Sequence, residues 1–176
     1  FSLGYAYSET SASLDTQDQT FRLQVEGELT PKLTGTLGLG FQNRETEFGD
    51  SSDPYVNVNL AWAVNERIEV AATGSIGFLT TSSGSSGQQS STGLAASMAL
   101  GGSVTASAGV RYSKTSYDNF GIDRTDEGLT FQTSLLWQLG QSTSLTASAT
   151  YGDNQSDIDR LTYDRLRLGG GVVVTF

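Results

Sequence analysis

Apolar and polar residues alternate with a period of two along most of the chain, and no stretch of useful length has the 3.6-residue period of a helix. A clear example has Val56, Val58, Leu60 and Trp62 alternating with polar Asn57 and Asn59. Ten such runs occur, the first starting at Phe1 and the last ending at Phe176. They predict about ten antiparallel strands in an all-β protein, because alternate side chains of a strand point to opposite faces.

The connections between the runs also alternate, in length. Tight turns are predicted at residues 30–32, 65–67, 101–103 and 140–143, and long polar loops at 9–19, 43–54, 80–91, 114–127 and 152–160. This sorting predicts one domain over residues 1–176, a closed transmembrane β-barrel with short periplasmic turns and long extracellular loops. In a closed barrel the first strand pairs with the tenth, because lipid offers no partner to an open edge. A soluble β-sandwich is the alternative.

Aromatic residues fall near the two ends of the predicted strands, and the strand centres hold Leu, Val, Ala and Gly. This distribution is typical of the aromatic girdles at the two bilayer interfaces. The predicted girdle residues are Phe1, Tyr7, Phe21, Phe41, Trp62, Phe78, Tyr112, Phe131, Trp137, Tyr151 and Phe176.

The final strand carries a pattern of its own. Gly171, Val174 and the terminal Phe176 match a glycine followed by alternate hydrophobic residues and a last aromatic residue. This pattern is similar to the assembly signal of outer-membrane barrels, so the barrel-assembly machinery is an expected partner. The strand pattern begins at Phe1 without an export signal, and we expect any such signal to have been removed already.

Composition narrows the classes of function. No run of about 18 apolar residues could form a membrane-spanning helix. The net charge of −9 argues against nucleic acid as a partner. The chain has no His and no Cys, which removes His-dependent nucleophilic catalysis and the common zinc sites, so we expect no enzyme activity, no cofactor and no metal.

Two hairpins share a pattern of an aromatic residue, an acidic loop, an Asp-Arg pair and an alternating strand. They run from Tyr112 to Trp137, with Asp123-Arg124, and from Tyr151 to Phe176, with Asp159-Arg160. The pattern resembles the putative β-barrel porin type 2 family of outer-membrane proteins. The resemblance implies a location in the bacterial outer membrane, in contact with its lipid and lipopolysaccharide. A homo-oligomer or a larger envelope complex is left open.

Charged residues on the polar side of the alternation are the candidate site. By parity they face the lumen, and they are Arg22, Glu26, Glu28, Glu69, Arg111, Arg165 and Arg167. They predict a narrow, porin-like channel for small solutes. The alternative is a filled lumen in a structural or surface-interaction barrel that acts through its acidic loops, where carboxylates either bind Ca²⁺ or keep the loops solvated. If the first and tenth strands pair, Glu26 and Glu28 should reach Arg165 and Arg167.

Overall fold

The structure is a computed structural model that describes residues 2–10, 16–46, 49–80, 86–119 and 122–174, with side chains described at 19–43, 52–77, 87–117 and 124–174. These residues form ten strands and one 3₁₀ turn, Asp159–Leu161. The strands are β1 (Ser2–Thr10), β2 (Thr16–Thr30), β3 (Leu33–Thr46), β4 (Gly49–Asn65), β5 (Ile68–Thr80), β6 (Ser86–Gly101), β7 (Val104–Asn119), β8 (Ile122–Gln138), β9 (Thr143–Ser156) and β10 (Tyr163–Val174).

All ten strands belong to one sheet and follow one another in chain order. Each of the nine pairings is antiparallel. The prediction of an antiparallel all-β fold is therefore confirmed. The sandwich alternative is wrong, because the described residues form no second sheet to pack on this one. No helix in the described ranges is long and apolar enough to cross a membrane.

The four tight turns lie where the sequence predicts them. Pro31–Lys32, Glu66–Arg67 and Gly102–Ser103 each join two strands through two residues, and residues 139–142 join β8 to β9. At one of them the side-chain oxygen of Asn65 accepts hydrogen bonds from the backbone N–H groups of Arg67 (2.9 Å) and Ile68 (3.0 Å). The side chain thereby supplies the acceptors that the turn backbone lacks.

The long loops are shorter than predicted. β7 and β8 pair as far as Asn119 and Ile122, within the loop predicted at residues 114–127, and strands also extend into the other predicted long loops. Hydrophobic alternation reports only the part of a strand that has one apolar surface. Backbone pairing needs no apolar side chains, so the strands continue into polar sequence.

The two faces of the sheet differ in chemistry. The alternating apolar side chains of the strands share one face, which we call the apolar face. On it Leu37, Met98, Leu135 and Val172 are 44%, 41%, 47% and 65% exposed, and Val58, Val70 and Val110 are half-buried. No hydrophobic residue among those with described side chains is buried. A sheet that exposes its largest apolar side chains needs an apolar surrounding on that face.

The sheet is open between its first and last strands. β1 pairs with β2 alone and β10 with β9 alone in the described part of the chain, so the predicted pairing of β1 with β10 is not formed. Tight turns fix the register of neighbouring strands, but closure also requires a strand number, tilt and stagger that agree with one another. The alternation of residues and the tight turns predict the register of neighbouring strands, but they do not predict whether the barrel closes.

Candidate functional site

The second face of the sheet, the polar face, carries the predicted lumen charges. Cross-strand pairing puts Arg22 opposite Gly40, Glu69 opposite Ser97 and Arg111 opposite Thr130 on this face. The seven predicted residues are all exposed: Arg22, Glu26, Glu28, Glu69, Arg111, Arg165 and Arg167. They share one face of the sheet, as the alternation along each strand predicts. That they line a lumen remains a prediction.

The structure does not bring the predicted ion pairs together. Glu26 and Glu28 lie on β2, near one edge of the sheet, whereas Arg165 and Arg167 lie on β10, at the other edge. Neither glutamate forms an ion pair with either arginine in the described structure. The pairs depended on contact between β1 and β10, and that contact is not formed.

Arg22 instead approaches an aromatic ring across an intervening strand. Its guanidinium carbon lies 5.6 Å from the centre of the Tyr55 ring. Gly40 opposes both residues from β3 and leaves the space between them free of a side chain. This distance is within the range of a cation–π contact, which holds the arginine over the polar face.

A denser polar cluster lies on β7, β8 and β9, towards the ends predicted to be loops. Arg124 Nη2 is 2.7 Å from Asp126 Oδ2, and its guanidinium carbon is 4.1 Å from the centre of the Tyr117 ring. Asp126 Oδ1 also accepts a hydrogen bond of 2.6 Å from Ser156 Oγ. The ring and the carboxylate together fix the orientation of the guanidinium, and we call these four residues the Arg124 cluster.

The Arg124 cluster borders a recess of about 350 Å³. Thr115, only 5% exposed, accepts a hydrogen bond of 3.2 Å from Gln89 Nε2 at its wall. Gly128 contributes no side chain to the base of the recess, where an added Cβ would come 3.0 Å from Ser113 Oγ. Arg124 and Asp126 neutralise each other, so the recess carries little net charge.

Charge is unevenly distributed over the polar face. The described side chains of β7–β10 on this face include four arginines and one acid, namely Arg111, Arg124, Arg165, Arg167 and Asp126. Those of β2–β5 include four acids and one arginine, namely Glu26, Glu28, Asp53, Glu69 and Arg22. One half of the face is therefore positive within a chain whose net charge is −9.

The predicted aromatic girdle is described in part. Phe21, Phe41, Trp62, Tyr112, Phe131, Trp137 and Tyr151 are exposed on the apolar face. Phe21 opposes Phe41, and Phe131 opposes Tyr151, so neighbouring strands hold their rings at one level. Phe1 and Phe176 lie outside the described residues, as do the side chains of Tyr7 and Phe78.

The remaining predictions concern the loops and the final strand. In the described ranges no three acidic side chains come close enough to hold a metal ion. Asp157 Oδ2 instead accepts a hydrogen bond of 2.9 Å from the backbone N–H of Thr125. Gly171 and Val174 of the assembly pattern lie in β10, and that pattern remains a prediction.

The predicted loop at residues 114–127 leaves the Arg124 cluster outside the predicted site. The signal was present in the sequence. Polar and small residues continue at every second position from Arg124 through Asp126 and Gly128 to Thr130. Counting polar alternation as well as apolar alternation would have extended β8 to include them.

Comparison with known proteins gives a family and a fold. A family model described as putative beta-barrel porin 2 matches residues 8–176. The comparison with curated proteins finds no match.

Three solved outer-membrane structures are similar in fold. A loop L8 deletion mutant of OmpT, an outer membrane protein of Vibrio cholerae, has a TM-score of 0.65 at 13% identity, over 94% of this chain and 60% of that one. Outer-membrane expressed OmpT of Vibrio cholerae has a TM-score of 0.57 at 14% identity, over 82% and 52%. An anion-selective porin from Comamonas acidovorans has a TM-score of 0.53 at 15% identity, over 96% and 56%. The chain thus spans between 52% and 60% of the length of these proteins.

Proposed function

The chain belongs to the putative beta-barrel porin 2 family. On that premise we propose that it forms part of the wall of a bacterial outer-membrane β-barrel, and that its polar face lines a channel for small solutes. The protein is not an enzyme in this proposal. Its work is to separate lipid from a water-filled path, and its selectivity comes from the side chains along that path.

The difference between the two faces carries the proposal. On β10, for example, one face exposes Leu168 and Val172 and the other exposes Arg165 and Arg167. The strands are 9 to 17 residues long, and all but β1 exceed the 9–11 residues that a tilted strand needs to span a bilayer. Lipid suits the first face and water the second, and a barrel wall is the arrangement that provides both.

Edge pairing is part of the proposal. Unpaired backbone N–H and C=O groups each cost several kcal/mol in lipid. We therefore expect β1 and β10 to be paired in the membrane, with strands outside these 176 residues, from the same polypeptide or from a second copy. The open sheet and the greater length of the three similar proteins support a wider barrel over closure of β1 onto β10.

Single-channel recording tests the proposal. The purified protein in a planar lipid bilayer should give stepwise, ohmic conductance. Ser134→Trp, which adds a ring on the polar face, should lower the unit conductance. Leu135→Trp, which adds the same ring one residue away on the apolar face, should leave it unchanged. Absence of conductance steps from the folded protein would contradict a channel and favour a structural barrel that acts through its loops.

A further inference from the structure

Two arginines of the polar face lie in one cross-strand row. Arg111 of β7 opposes Thr130 of β8, Thr130 opposes Gly152 of β9, and Gly152 opposes Arg165 of β10. At a strand spacing of about 4.8 Å, the two arginine Cα atoms are about 14 Å apart along a flat row. The residues between them are short and leave both guanidinium groups room on this face. In the structure the guanidinium carbon of Arg165 lies 5.7 Å from the centre of the Tyr163 ring on the same strand.

A third arginine lies one step along the face. Arg167 follows Arg165 at the next position on the polar face of β10 and opposes Thr150. Gly152 has no side chain between Arg111 and Arg165. The space around it is open, because an added Cβ there would meet only Thr130 Oγ1, at 3.8 Å. Arg111 and Thr130 lie at the middle of β7 and β8, whereas Arg165 is the third of the twelve residues of β10. We call Arg111, Arg165 and Arg167 the arginine row.

The arginine row differs from Lys114 and Arg124 in having no acidic partner. Lys114 lies 3.0 Å from Glu127, and Arg124 lies 2.7 Å from Asp126. Arg111, Arg165 and Arg167 are exposed and form no ion pair within the described structure. Asp164 is next to Arg165 in sequence and Asp153 is next to Gly152, but these two acids oppose each other on the apolar face and so point away from the row.

An arginine without an ion partner within the thickness of the bilayer costs free energy unless it faces water or an opposite charge. On the premise of the proposed channel, we propose that the arginine row binds anionic solutes, those with a carboxylate or a phosphate group, and makes the path selective for anions. The planar guanidinium presents its donors in a fork that matches both groups. The negative net charge of the chain does not cancel the positive potential of the three arginines, because salt screens charges that lie beyond about 10 Å.

Reversal potential is the first measurement. Across a KCl gradient the wild-type channel should show a chloride-to-potassium permeability ratio above one. Replacing the three arginines by Gln should bring the ratio to one or below, and replacing them by Lys should keep it above one. Arg160→Gln removes one positive charge in the 3₁₀ turn outside the strands and should not change the ratio, whereas each single replacement in the arginine row should lower it.

A second variant leaves the arginines in place. Gly152→Glu puts a carboxylate between Arg111 and Arg165 and should lower the ratio. Thr146→Glu adds the same charge on the same face of β9, six residues away, and should lower it less. Potassium acetate and potassium phosphate gradients then distinguish the two acid groups. A conducting wild type that prefers potassium, or equal effects of the two glutamates, would overturn the inference while leaving the channel intact.

Chemical protection tests the row without conductance. Phenylglyoxal modifies accessible arginines, and peptide mass spectrometry reports each site. Inorganic phosphate or acetate should slow the modification of Arg111, Arg165 and Arg167 in the folded protein and leave Arg160 and Arg67 unaffected. Equal protection at all five sites, or none, contradicts the arginine row as an anion site, whether or not the protein conducts.

Discussion

Arg22 holds its guanidinium carbon 5.6 Å from the centre of the Tyr55 ring, although the two residues lie on strands that do not pair with each other. Gly40 opposes both of them and supplies the gap. An added Cβ at Gly40 would overlap the carbonyl oxygen of Phe21 on the neighbouring strand. One glycine therefore permits both the close approach of two backbones and a contact across three strands.

Gly40→Ala should destabilise the protein by about 1–3 kcal/mol, since the two strands must move apart to admit the methyl group. Urea unfolding in detergent micelles, followed by tyrosine and tryptophan fluorescence, measures the loss. Gly152→Ala is the matched control and should change stability by no more than about 0.5 kcal/mol, because its Cβ meets only Thr130 Oγ1 at 3.8 Å. Equal losses at the two glycines would show that strand spacing at Gly40 is not the cause.

Two adjacent leucines of β8 test the assignment of faces. Leu135 is exposed on the apolar face, and Leu136 is exposed on the polar face. In lipid vesicles Leu135→Arg should cost about 2–4 kcal/mol near the bilayer midplane. Leu136→Arg should cost far less, because its charge remains in water. Denaturant unfolding from vesicles compares them, and a larger loss for Leu136→Arg would reverse the assignment.

The Arg124 cluster should behave as a coupled unit. A double-mutant cycle with Arg124→Gln and Asp126→Asn should give a coupling energy of about 0.5–3 kcal/mol, so the double variant should lose less stability than the two single variants added together. Lys114→Gln with Glu127→Gln is the comparison and should couple by no more than about 1 kcal/mol, since its side chains are 47% and 45% exposed against 26% and 15%. Stronger coupling in the exposed pair would contradict this ranking.

The open edge predicts independence between β2 and β10. Glu28→Gln and Arg167→Gln should have additive effects on stability, within about 0.5 kcal/mol, because nothing brings the two residues together. The Arg124–Asp126 cycle, measured in the same preparation, provides the coupled reference. A clear coupling between Glu28 and Arg167 would show that β1 and β10 pair in the membrane and that the barrel closes on ten strands.

Much of the fold can be predicted from residue alternation, and β8 shows how far this extends. Leu129, Phe131, Leu135 and Trp137 predict one face of the strand, and the structure exposes the last three of these side chains there. The ends of strands are harder to predict. β8, for example, begins at Ile122, in polar sequence that has no alternation of apolar residues. Closure is harder still, since it depends on stagger and strand number summed over the whole sheet.

The site follows the same division. Parity is enough to put Arg111 and Arg165 on one face, because that is a property of each strand alone. Their alignment in one row requires the register of three consecutive pairings, and the contact of Arg124 with Tyr117 requires β7 and β8 to extend past the predicted loop boundary. Register and strand length are properties of the pairing between strands, which a period within one segment does not report.

Cysteine labelling at two neighbouring residues of β6 tests the proposed barrel wall, with lipid on one face and water on the other. The chain has no cysteine, so Ser97→Cys on the polar face and Met98→Cys on the apolar face each introduce a single thiol. In lipid vesicles Ser97→Cys should react with a charged, water-soluble thiosulfonate, and Met98→Cys should react only with a lipid-soluble maleimide. Reaction of both thiols with the charged reagent, or of Met98→Cys alone, would contradict a wall between lipid and water.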